Sequence, residues 1–297
     1  MKTILLLFTP ILLFSGCIRE TLDQCPKGDI EINVYVEKFQ AVTHNYRTDM
    51  ETSFNTRIKD IHYLLFKEQT LIEEGRIEDC SPYSNPSYVF QRKGLEFGNY
   101  CLALISNCSA TIQGSAPTEL FFVYAGVNND EDHFTACFPF TVNCDCKSEY
   151  NIYMERTHGV IRYTFHNIPE HTNGIEMTMT NVGNKKVIEG GYLENIDVTK
   201  RISIDQLNRA TKADNDISVV IGTFPTVTGM HSAYQLRLYK NGQETPWYNE
   251  TVTDTLTVRR NQLLDISTRF TGDIPSFEVL INTAWDGSTS GGETDIQ

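Results

Sequence analysis

Basic residues are in short supply: 25 Lys and Arg stand against 38 Asp and Glu, a formal net charge of −13. A surface that grips nucleic acid by its phosphates needs a local excess of Lys and Arg, and no stretch provides one. Tryptophan occurs only at Trp247 and Trp285, and no cysteine follows Cys146. Local signatures of catalysis are missing as well. There is no G-x-S-x-G elbow, no Gly-rich phosphate cradle and no dinucleotide fingerprint; Gly287, Gly291 and Gly292 lie in a small, polar tail. The histidines, at His44, His62, His133, His158, His166, His171 and His231, form no H-E-x-x-H pair. His166 and His171 bracket a segment with Glu170 and are read as solvated. Asp130, Glu131 and Asp132, beside Asn128 and Asn129, lack the spacing of a calcium loop and read as a hairpin tip. Carboxylate pairs at the roughly 5–9 Å of glycoside hydrolysis are not identifiable from sequence. No enzyme, cofactor or metal is expected, and nucleic acid is not an expected partner.

What is present begins with Lys2 and an apolar run from Ile4 to Phe14, broken by Thr9 and Pro10. The run is shorter than the about 20 residues that cross a ~30 Å hydrocarbon core, and small residues follow it, so residues 1–16 read as a secretory signal peptide. Leu13, Phe14, Ser15, Gly16 and Cys17 resemble the lipobox of bacterial lipoproteins. That resemblance implies lipidation of Cys17; at roughly 0.8 kcal/mol per buried methylene, three acyl chains hold firmly. An ordinary signal peptide with a chance cysteine is the plainer alternative. Residues 17–28 then form a short lipidated tether.

With Cys17 set aside, Cys25, Cys80, Cys101, Cys108, Cys137, Cys144 and Cys146 remain, an odd number that leaves at least one unpaired within the chain. Disulfides are permitted in an exported protein, but sequence does not choose the pairing. Cys144 and Cys146 lack the paired C-x-x-C hooks of a structural zinc site. Because every cysteine precedes Tyr150, a border near that residue divides the chain into an N-terminal unit, 29–150, and a C-terminal unit, 151–297, with a flexible tail from about residue 287.

Alternation of period two fills both halves. Ile30, Ile32, Val34 and Val36 alternate with polar or charged neighbours. The pattern returns at Ile58–Phe66, Tyr88–Phe90, Leu95–Ile105, Leu120–Tyr124 and Phe134–Val142. In the second half it marks Ile161–Phe165, Ile175–Met179, Ile217–Phe224, Tyr234–Tyr239, Thr251–Arg259, Leu263–Phe270 and Phe277–Trp285, with Asn241 and Gly242 as a hairpin signal. Helical spacing is scarce; the best candidate is a connector at Ser203–Ala213, with Ser203 as cap and Leu207 on one face. The expectation is an all-β protein of two tandem β-sandwiches.

The lipobox at Cys17, the stretch Leu22, Asp23, Gln24, Cys25, Pro26 and the strand after it together resemble the FimB-type anchor subunits of Bacteroidales-type fimbriae. So do Ile61–Phe66 leading to a turn near Gly75, the sequence Phe97, Gly98, Asn99, Tyr100 before Leu102–Ile105, and Met154–Phe165. The likeness spans essentially the whole mature chain. Where such proteins often carry Val-Ala-Lys, this chain has Thr157, His158, Gly159, Val160. The resemblance implies two transthyretin-like β-sandwich domains and a lipoprotein of the cell outer membrane, lipid-anchored and surface-exposed. It also implies partners among fimbrial stalk subunits, with a role in anchoring the stalk and in its assembly or length control. A minor stalk or tip subunit would differ by loss of its first strand to a protease, which opens a groove of unpaired backbone groups. Arg47 and Arg57 are the candidate trimming positions, and no trimming is expected. The competing reading is a surface glycan- or protein-binding lipoprotein, whose mark would be Tyr83, Tyr88, Trp247 and Tyr248 on one exposed face.

Overall fold

The computed structural model describes residues 27–37, 40–43, 46–49, 53–124, 126, 132–143, 147–204, 216–241 and 243–282. Cys17, Cys25, Cys144, Cys146, His44, Trp285 and the tail lie outside them, as do Asn128 to Glu131 and most of the expected helical connector.

The first ten strands are β1 (Lys27–Val36), β2 (Gln40–Thr43), β3 (Tyr46–Asp49), β4 (Ile61–Lys67), β5 (Thr70–Ile77), β6 (Ser87–Glu96), β7 (Gly98–Ser106), β8 (Phe121–Val123), β9 (Phe134–Val142) and β10 (Lys147–Arg156). They are followed by β11 (Gly159–His166), β12 (Thr172–Val187), β13 (Tyr192–Ser203), β14 (Ile217–Thr223), β15 (Ser232–Lys240), β16 (Tyr248–Leu256), β17 (Leu263–Thr271) and β18 (Ile274–Asn282). The protein is all-β.

Seven strands of the first half form one path, β5-β4-β7-β9-β10-β1-β6, while β2 and β3 form a separate two-stranded sheet among the described residues. Between β9 and β10 the ladder shrinks to Thr135 opposite Glu155 and Phe134 opposite Arg156. At that corner the sheet turns back on itself, so a leaf of β10, β1 and β6 faces a leaf of β5, β4, β7 and β9. Ile30, Ile32, Val34, Phe90, Ile152 and Met154 from one leaf meet Ile61, Leu65, Tyr100, Leu102, Leu104 and Phe140 from the other. The alternation in β1 therefore points its aliphatic set inward.

β7 explains an apolar run that does not alternate. Tyr100 to Ser106 are all buried. Tyr100, Leu102 and Leu104 face the first core, and Cys101, Ala103 and Ile105 face a second layer containing Phe122, Ile188 and Phe224. A strand covered on both faces needs apolar residues at consecutive positions. The expected single strand Leu95–Ile105 is instead the end of β6 and most of β7. The chain turns between them at Gly98, whose φ of +144° is open to glycine alone at little cost.

The second half pairs β14-β11-β17-β18 in one sheet and β13-β12-β15-β16 in the other, enclosing Ile161, Tyr163, Phe165, Met177, Leu236 and Ile266. The turn signal at Asn241 lies in the connection from β15 to β16, which pair antiparallel across a longer loop than a two-residue hairpin. Ser203 ends β13, opposite Gly174 of β12, and Ile204 after it is already helical; the rest of the expected connector lies outside the described residues. β10 runs through residue 150; its partnership with β1 carries the first sheet to Met154, and its pairing with β9 to Arg156.

Candidate functional site

Two features give the fold its functional interest: the placement of β1, and the seam between the sandwiches. β1 is an interior strand. It lies parallel to β10 from Asp29 opposite Lys147 to Val36 opposite Met154, and antiparallel to β6 from Lys27 opposite Glu96 to Tyr35 opposite Ser87. Ile32 and Val34 are wholly shielded from solvent. At roughly 1.5–3 kcal/mol for each fully buried aliphatic side chain, Ile30, Ile32 and Val34 hold the strand strongly. Its outer face carries the Glu31–Lys147 ion pair, Gln91 donating to Glu31, and a stacked Tyr35–Tyr153 pair with centroids 5.3 Å apart. Without β1, the facing edges of β10 and β6 would be left unpaired on either side of a gap.

Downstream of β1, Arg57 is half-buried rather than displayed on a solvated loop. Its carbonyl accepts 2.7 Å from Asn107 Nδ2, and the same side chain accepts from the Lys59 amide through Oδ1 and donates to the Asp132 carbonyl. Asn107 itself sits at φ +54°, so the amide staple and the left-handed turn come together at one residue. Burial, with the Arg156 charge nearby, lowers the Arg57 guanidinium pKa. Arg47 lies in β3, opposite Val42.

The seam begins where β8, though early in the chain, joins the second half: Phe121, Phe122 and Val123 pair with Val187, Lys186 and Lys185 of β12. Phe122 is fully buried, edge-on to His133 at 5.3 Å and to Phe224 at 5.7 Å. His133 and His158 are both buried, their rings 4.8 Å apart, with Tyr124 and Phe224 against His158. Thr157 N donates to the His133 carbonyl, Tyr192 Oη to the Thr157 carbonyl, and Asn261 N to the His158 carbonyl. Burial first, then the neighbouring His133 and Arg156, holds the His158 pKa well below the ordinary imidazole value. Arg156 grips Asp132 with two hydrogen bonds, and Arg260 of the second half reaches Glu37 beyond β1 at 2.7 Å. The stretch Thr157, His158, Gly159, Val160, which departs from the anchor-subunit pattern, is thus the linker of the seam. Neither His133 nor His158 carried a signal of its own in the sequence.

The four aromatics of the glycan-binding expectation do not share a face. Tyr83 and Tyr88 pack on the first core, edge to face at 4.9 Å, while Trp247 and Tyr248 pack on the second. His166 is not a solvated loop residue but ends β11, 2.8 Å from Asp216; His171 stands over Trp247, with ring centroids 4.7 Å apart. Asp132, the described member of the acidic cluster, serves the Arg156 pair. Among the described residues, no group of three or more His, Cys, Asp and Glu is arranged to hold a metal ion.

No family model and no curated protein matches the sequence. The fold does match solved structures. A candidate polysaccharide-binding protein of Bacteroides thetaiotaomicron superposes with a TM-score of 0.62 at 10% identity, over 91% of this chain and 99% of that one. A candidate adhesin of Bacteroides ovatus gives 0.57 at 10% identity, over 94% and 97%. The fimbrial anchor protein Mfa2 of Porphyromonas gingivalis gives 0.55 at 9% identity, over 86% and 97%. The chain is thus similar in fold, over nearly the full length of each, to a candidate polysaccharide-binding protein, a candidate adhesin and a fimbrial anchor protein.

Proposed function

We propose that the protein is an outer-membrane lipoprotein, held by lipid on Cys17, that anchors a fimbrial stalk and contributes to its assembly and length control. The observation that carries this reading is the position of β1. The strand next to the lipid-bearing tether is seated between two partners, with Ile30, Ile32 and Val34 in the core. A subunit that polymerises by accepting a neighbour's strand needs an empty strand position, whereas an anchor keeps its own strand and its tether in one piece. The half-buried, stapled Arg57 supports the same reading, since a protease must draw several residues of extended chain into its cleft. The two units expected as 29–150 and 151–297 are proposed to meet at the seam, with the border carried from Tyr150 to Thr157–Val160 because β10 pairs with β1 and puts Ile152 and Met154 in the first core. Deleting the protein from its host should release fimbriae into the medium or lengthen them. Fimbriae unchanged in length and attachment would refute the anchoring role. A mature chain that starts after Arg47 or Arg57, instead of at acylated Cys17, would turn the reading to a stalk or tip subunit.

A further inference from the structure

We propose that Cys101 and Cys137 form a disulfide that staples β7 to β9 beneath the seam, made by exchange with a small-molecule or protein disulfide. The two sulfur atoms are 2.9 Å apart. That is closer than the roughly 3.5–4.0 Å at which unbonded heavy atoms settle, and under 1 Å from the ~2.05 Å of a disulfide bond. The strands are antiparallel neighbours, with Cys101 opposite Pro139 and Cys137 opposite Ala103, so the pair lies on one diagonal of the same sheet face. Both side chains point into the layer that holds Phe66, Phe122, Ile188 and Phe224.

Cys80 is buried in the first core, its thiol pushed up to about 11 chiefly by burial, and Cys108 Sγ lies against the Ala110 carbonyl at 3.8 Å. Within the pair, the hydrogen bond from Cys137 favours the Cys101 thiolate and lowers its pKa. Cys137 is the more exposed of the two. Exchange starts at the thiolate: Cys101 sulfur attacks one sulfur of the external disulfide and releases the other as a thiolate, which takes the proton of Cys137. Cys137 sulfur then attacks Cys101 Sγ, forming the internal bond and expelling the second thiol. The two cysteines are oxidised by two electrons, and the external disulfide is reduced to two thiols.

The segment closed by this bond contains β8, Phe122 and His133, the chain that crosses to the second sandwich. The bond would fix both ends of that arm to the first sandwich.

The test is peptide mapping of the purified full chain after incubation with oxidised glutathione and quenching with maleimide. A Cys101–Cys137 linked peptide, lighter by two hydrogen atoms than its reduced parts, is the expected product. The oxidised chain should melt about 5–10 °C above the dithiothreitol-reduced one, as closure of a loop of this length implies. The redox-dependent shift should vanish in Cys137→Ser and persist in Cys80→Ser. Maleimide or glutathione alone on both cysteines, a link from either to a different cysteine, or a shift that survives Cys137→Ser would overturn the proposal.

Discussion

His158 packs edge-on to His133 in the seam, centroid to centroid 4.8 Å, and both rings are cut off from water. Arg156 and Asp132 are the charged groups closest in the chain to this pair, and Phe122, Tyr124, Thr157 and Phe224 pack around it. The folded-state pKa of His158 is depressed, so its native form is neutral. Above the unfolded pKa of about 6.5 the ring contributes no pH dependence; below it the unfolded chain takes up a proton that the native chain refuses. Stability should fall as the pH drops from about 6.5, by up to about 1.4 kcal/mol per pH unit until the folded pKa is reached. Urea unfolding at pH 7.5 and 5.5 measures this, and His158→Gln should flatten the slope.

Phe122 is the central apolar side chain of the seam. Phe122→Ala would empty the space between His133 and Phe224 and should cost about 3–5 kcal/mol. Hydrogen exchange should rise first in β8 and in Lys185–Val187, its partners in β12. Protection unchanged there would contradict the assigned role.

A Cβ at Gly159 would lie 2.4 Å from the Arg259 carbonyl oxygen, a rigid backbone atom. Gly159→Ala should destabilise the chain by about 1–3 kcal/mol, the range seen for overpacking. Gly222, opposite Val160 on β14, has nothing within 4 Å of its own added Cβ. Gly222→Ala should be neutral or slightly stabilising, and thermal melts of the two variants side by side separate close approach from a general effect of glycine loss.

Arg156 has a side-chain exposure of 9% and is held bidentate by Asp132, itself 31% exposed. Asp132→Asn removes the negative charge from this pair and should cost about 2–4 kcal/mol. Chemical unfolding would show it as a lowered midpoint with an unchanged slope.

Much of the architecture was legible because strands with one wet face print their burial onto the sequence. Ile30, Ile32 and Val34 did so in β1, as did Ile161, Tyr163 and Phe165 in β11. β5 was not legible: it is an edge strand, and Glu73, Glu74 and Arg76 serve ion pairs with Arg92, His62 and Asp60 rather than a core. β13 is an edge strand too, with only Val198 among its residues fully buried. The seam was hidden for a different reason. β8 is three residues long, and its partner in β12 is remote in sequence, so no local period reports the contact. His133 and His158 look like any dispersed histidines until the corner at Arg156 brings them together. The cysteine pair is equally silent in sequence, since a diagonal across β7 and β9 exists only once the register is set.

The seating of β1 also fixes how the first sandwich bears tension. Ladder hydrogen bonds lie across the strand rather than along it. A pull along the axis from Lys27 therefore loads the eight residue pairs with β10 and the eight with β6 together, in shear. A pull sideways on the free edge of β6 would instead peel its pairs one after another. Resistance to force is set by the barrier to the first rupture. The sandwich is thus mechanically strongest along the line on which β1 enters it, and weakest at right angles to that line.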